Sequence, residues 1–158
     1  MKDELDRLLK DHVAKRRREK DVEDAEEQDH HAFQALAVGA IEKVIAPALK
    51  ALGQELTGHG HEASVSLLVG TDSYPSVHLS FRIIDPDGPD DPASASRLSF
   101  STTTSQDKFE VRTEIWGREG KETGSHTGNP EARLIADVDA GWVNAQGLAF
   151  VKCVLDRA

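Results

Sequence analysis

The sequence predicts an α+β domain: an antiparallel β-meander of four to five strands, packed on one face by N- and C-terminal amphipathic helices and preceded by a charged helical arm. Three observations predict it. Apolar residues recur at steps of three and four from Phe33 to Leu56, and a broad apolar face returns between Asp139 and Leu155. Between these segments the period falls to two, over several short runs bounded by turn residues. Ahead of both, residues 1–31 crowd charges of both signs and offer little to a core. Neither β-α-β alternation nor a repeat of solenoid length is present, so doubly wound and repeat architectures are not expected. The expected organisation is an arm over 1–31 and one domain over 32–158.

In the arm, Leu5, Leu8, Leu9 and Val13 fall at helical spacing and form one narrow stripe, weakly continued by Val22 and Ala25. A helix of this kind docks near its start or pairs with a partner. Lys15, Arg16, Arg17 and Arg18 make a local basic cluster. Glu19, Asp21, Glu23, Asp24, Glu26 and Glu27 follow at once, so pairing within the helix and solvation are the leading account of the cluster, and a charge-matched pairing of two antiparallel arms, which needs no nucleic acid, is the second. His12 shares the spacing of Leu5 and Leu8 and can line such an interface. His30 and His31 diverge on a helix and do not share one ion.

The helix from Phe33 to Leu56 is carried by Phe33, Leu36, Ala37, Ala40, Ile41, Val44, Ala48, Leu52 and Leu56. Pro47 lacks an N–H and clashes with the preceding turn, which predicts a kink or restart near residues 45–47. Gly53, Gly58 and Gly60 weaken and end the helix. Val65, Leu67 and Val69 then open a strand, and Val77, Leu79, Phe81 and Ile83 form the second of a hairpin. The third runs near Arg97–Thr102 with Leu98 and Phe100 inward. In the fourth, Phe109, Val111, Thr113 and Ile115 alternate with Lys108, Glu110, Arg112 and Glu114, so its other face meets water. A short strand is expected over 132–136. The final helix follows, capped by Asp137 or Asp139, with Trp142, Val143, Leu148, Ala149, Val151, Val154 and Leu155 inward.

At 158 residues, with 38% hydrophobic and 30% charged side chains, the chain suits one soluble domain with a solvated extension. A formal charge of −9 opposes nonspecific binding to nucleic acid, which gains free energy from cations displacing counterions. At most, an acidic chain of this kind occupies a nucleic-acid groove on another protein. Cys153 has no intramolecular disulfide partner, and no signal-like or membrane-spanning apolar run is present, so a reducing cytoplasm is the expected compartment.

The stretch "TGHGHE" holds the strongest candidate for metal chemistry. His59 and His61 face the same way if the backbone is extended, with Glu62 or His126 as further ligands, yet the neighbouring glycines already explain the segment as a helix exit. "GREGKET" fails as a phosphate loop: two residues separate Gly117 from Gly120, and Glu122 follows Lys121 where a hydroxyl is needed, so a mobile hairpin loop is expected. "DPDGPDD" lacks the closing bidentate Glu of a calcium loop and reads as an acidic turn. Cys153, beside Val154 and Leu155, reads as a small core residue.

With no catalytic constellation and no expected cofactor, the sequence favours a non-enzymatic interaction or adaptor module that self-associates, as a homo-oligomer, or docks on a protein partner. The expected interface residues are Leu5, Leu8, Leu9, Arg16, Arg17 and Arg18 on the arm, with His78, Arg82, Arg112 and Trp116 on the open sheet face. The alternative is a small metal-dependent enzyme or metal sensor built on His59 and His61.

Overall fold

In the computed structural model, residues 1–69, 74–84, 95–103, 106–117, 120–124 and 132–157 are described. Helix α1 (Lys2–Ala40) passes through a π-helical turn (Ile41–Ile45) into α2 (Ala46–Gly58). Six strands follow: β1 (Glu62–Leu68), β2 (Ser76–Arg82), β3 (Ser96–Thr103), β4 (Gln106–Gly117), β5 (Gly120–Gly124) and β6 (Ala132–Leu134). A 3₁₀ turn (Ile135–Asp137) leads to α3 (Ala140–Arg157). The chain divides into two compact units, Met1–Ala35 and Leu36–Ala158.

Pro47 explains the interruption between α1 and α2. Its ring cannot accept a regular preceding turn, and the chain widens instead, with the Ala46 N–H donating to the Ile41 carbonyl five residues back. Pro47 then sits in the first turn of α2, where its missing donor costs nothing. The wide turn also sets which residues are buried. Ala37, Ile41, Ile45 and Leu49 lie at four-residue steps that would drift around a regular helix, and the longer turn returns Ile45 to the face of Ile41. Leu36, expected in the core, is 66% exposed because it lies one residue off this line.

The exit from α2 depends on Gly60, at φ +90°, where a side chain would be strained. The reversal lets the His61 N–H return to the Leu56 carbonyl at 3.2 Å before β1 begins. The sheet is an antiparallel meander, β1-β2-β3-β4-β5. Strand β5 pairs with Thr113–Gly117 of β4 and β6 with Lys108–Glu110, so both add to β4 at different heights. The polar stretch after β4, expected to be a hairpin loop and not a core element, supplies an edge strand at Gly120–Gly124. Backbone pairing suffices at an edge, and Gly120 at φ +105° closes the hairpin opposite Gly117.

One sheet face is buried. Val77, Leu79, Phe81, Leu98, Phe100, Phe109, Val111 and Ile115 point into it, and α2 and α3 cover it. Phe81 meets Phe150 edge to face at 6.4 Å, and Phe100 meets Trp142 at 5.4 Å. Burying each such ring stabilises by about 2–3 kcal/mol. Buried Thr102 caps the second hairpin end by donating from its hydroxyl to the Pro75 carbonyl at 3.1 Å. Asp139 Oδ1 accepts the Trp142 N–H at 2.7 Å, the cap expected for α3.

The buried face of α3 is narrower than its apolar pattern. Trp142, Val143, Gln146, Gly147, Phe150 and Val154 turn inward, whereas Leu148 and Leu155 are 64% and 53% exposed. The expected line missed Phe150, around which the inward face is built; Leu148 lies about 200° away from it. Gly147 permits close approach of α2, since a Cβ there would meet Leu52 at 2.6 Å. On β1, Ala63 and Val65 pack on the core, but Leu67 and Val69 run past its edge and stay partly exposed.

Candidate interaction surfaces

The alternation that buries one sheet face assembles the other from polar side chains. Cross-strand register aligns Ser66, His78, Ser99 and Arg112 in one row, and Ser64, Ser80, Arg97, Glu114 and Thr123 in the next. Arg82 faces Glu62 across β1 and β2, donating from Nε and Nη2 to the same carboxylate oxygen at 3.0 and 2.8 Å. Arg112 is exposed, its Nη2 3.7 Å from Glu110. Trp116 is 36% exposed, with Lys121 Nζ 5.8 Å from its ring centre and its backbone N–H donating to Ser96 Oγ at 3.0 Å. The four sheet residues expected at an interface thus share one face, but Arg82 is fastened to Glu62, whereas Arg112 and Trp116 are exposed beside Glu110 and Lys121.

Two titrations on this face are displaced. The His78 imidazole is pushed below 6.5, first by partial burial and then by the Arg97 guanidinium, so it resists protonation. The Glu114 carboxyl is held below 4.5, mainly by its hydrogen bond from Lys121 at 2.7 Å and further by the charges of Lys121 and Arg97, against an opposing effect of burial. Arg97, Glu114 and Lys121 therefore organise the face, although the expected set lacked them. Arg97 was legible as the outward neighbour of Leu98, whereas Lys121 lies on the strand that polarity concealed.

On the arm, Leu5, Leu8, Leu9 and Val13 are each 55–59% exposed, and Val22 is 57% exposed. Arg16, Arg17 and Arg18 are exposed beside them, and Arg18 Nε reaches the Ala14 carbonyl at 3.4 Å. Glu27 and His31 approach at 3.8 Å across one turn. Among the described residues, Lys15, Arg16 and Arg17 are exposed and make no ion pair within the chain.

His59 lies exposed at the end of α2, and His61 does different work. Its Nδ1 accepts the Ile84 N–H at 3.1 Å, and its ring stands on Phe81 at 5.9 Å. That bond fastens the start of β1 to the end of β2 and occupies one of the two nitrogens a metal would use. Among the described residues, no group of three or more His, Cys, Asp or Glu is placed to hold a metal ion. His126 and the "DPDGPDD" segment lie outside the described residues. Cys153 is half-buried and packs against the core. Among the described residues, no helix is long and apolar enough to cross a membrane.

Comparison with protein-family models, with curated proteins and with solved structures finds no match.

Proposed function

We propose that the protein is a non-enzymatic interaction module that self-associates through its N-terminal arm and uses the open sheet face to dock on a larger assembly. The observation that carries this reading is the exposed stripe Leu5, Leu8, Leu9 and Val13 on a 39-residue helix. Such a stripe gains its hydrophobic free energy only when another surface covers it. A helix in water also draws most of its stability from packing, so association and helix order reinforce each other. The polar sheet face, with Arg112 and Trp116 displayed, supports a second contact whose charges orient a partner.

Native mass spectrometry of the full chain and of a chain lacking residues 1–30 tests the reading. The full chain is expected to be oligomeric and the shortened one monomeric, with cooperative unfolding of the remaining domain unchanged. A full chain that stays monomeric, or a truncation that unfolds the domain without altering assembly, rules it out.

A further inference from the structure

The charge order along the arm distinguishes an in-register parallel pairing with a second copy from an antiparallel one. On α1, Leu5, Leu8, His12, Lys15, Glu19, Val22, Glu26, Asp29, Phe33 and Leu36 fall alternately three and four residues apart, which places them on one helical face. Laying a second α1 beside it in the same direction and register sets Lys15 against Lys15, Glu19 against Glu19, Glu26 against Glu26 and Asp29 against Asp29. Each of these four layers opposes like charges.

Reversing the second helix about a point between Lys20 and Asp21 changes each layer. Leu5 then meets Leu36 of the second copy, Leu8 meets Phe33, His12 meets Asp29, Lys15 meets Glu26, and Glu19 meets Val22. The two-fold axis repeats each pairing, so this register joins the apolar ends and sets His12 and Lys15 against carboxylates, with Glu19 beside Val22 at the centre. Beside the seam, Arg16 lies against Glu23 of the second copy.

Two structural observations agree with this arrangement. Leu36 is 66% exposed although its neighbour Ala37 is fully buried, which leaves an apolar side chain at the far end of the seam without cover. Lys15 and Arg16, among the described residues, have no carboxylate of their own chain.

We infer that two copies of the chain pair through α1 as an antiparallel two-helix coil centred between Lys20 and Asp21. This rests on the self-association reading and adds its orientation and register. Charged residues within the seam cost affinity relative to apolar ones but exclude other alignments.

Disulfide trapping tests the orientation in the full chain carrying Cys153→Ser. Leu8→Cys and Phe33→Cys chains, mixed in a glutathione buffer, are expected to give an 8–33 disulfide between copies. Leu8→Cys alone is expected to give none, because its two sulfurs would lie about 37 Å apart. An 8–8 disulfide as the main product overturns the antiparallel register while leaving self-association intact. A full chain that sediments as a monomer removes both.

Charge reversal supplies an independent readout. Lys15→Glu places like charges in two layers and is expected to weaken the dimer roughly tenfold, and adding Glu26→Lys to the same chain restores it. A double variant no tighter than Lys15→Glu alone overturns the register.

Discussion

Leu8 in α1 and Leu49 in α2 are the same side chain on the same kind of helix, set among apolar neighbours at similar spacing, yet Leu8 is 59% exposed and Leu49 1%. What separates them is the surface opposite. Leu49 packs in one cluster with residues of the sheet and α3, whereas among the described residues nothing buries Leu8. Helical periodicity therefore selects a face and says nothing of what covers it, and the same kind of stripe is buried in a core in one segment and exposed in the other.

Truncation of a ring in the core widens the contrast most. Phe100→Ala, which empties a fully buried site against Trp142, is expected to cost about 3–5 kcal/mol in urea denaturation, while Leu8→Ala shifts domain stability by less than about 0.5 kcal/mol and weakens self-association. A Leu8→Ala chain that loses stability like a core variant would break the distinction between arm and core.

A smaller effect is expected where α3 ends against β4. A Cβ on Gly117 would lie 2.5 Å from the Arg157 carbonyl oxygen and 2.8 Å from Arg157 Cβ, and that backbone cannot swing aside as a side chain tip can. Gly117→Ala is expected to destabilise the domain by about 1–3 kcal/mol, read as a lowered denaturation midpoint. An unchanged midpoint would mean that the last turn of α3 contributes little to the core unit.

The smallest effects are those of the open sheet face under pH. Glu114 titrates lower folded than unfolded, so its stabilisation is present above about 4.5 and is lost as acid protonates it. Lys121→Gln is expected to flatten that acid loss. His78 also titrates lower when folded, so here too the unfolded chain binds the extra proton, and stability rises with pH through the range just below 6.5. His78→Gln is expected to remove this slope, and an unaltered stability–pH curve in either variant would deny the residue its place in the linkage.

The meander was legible because strand alternation is a local property: Phe109, Val111, Thr113 and Ile115 must share a face whatever lies above them. Pro47 announced the break in the helix for the same reason, since its ring acts on its own turn. The outward positions on the sheet face followed from alternation too, but the ion pairs that fasten Arg82 and hold Glu114 did not. Those depend on which residues the register sets opposite one another, and the register joins segments as far apart as Glu62 and Arg82.

Charge pattern and period, present in the chain before it folds, determined the arm, the meander and the helices flanking it. Tertiary packing decided the rest. It chose Phe150 over Leu148 for the core, left Leu36 outside by way of a wide turn, and recruited the polar stretch Gly120–Gly124 as an edge strand. Each of these choices compares surfaces contributed by distant segments, and hydrophobic burial, being nondirectional, takes its geometry from whichever surfaces meet.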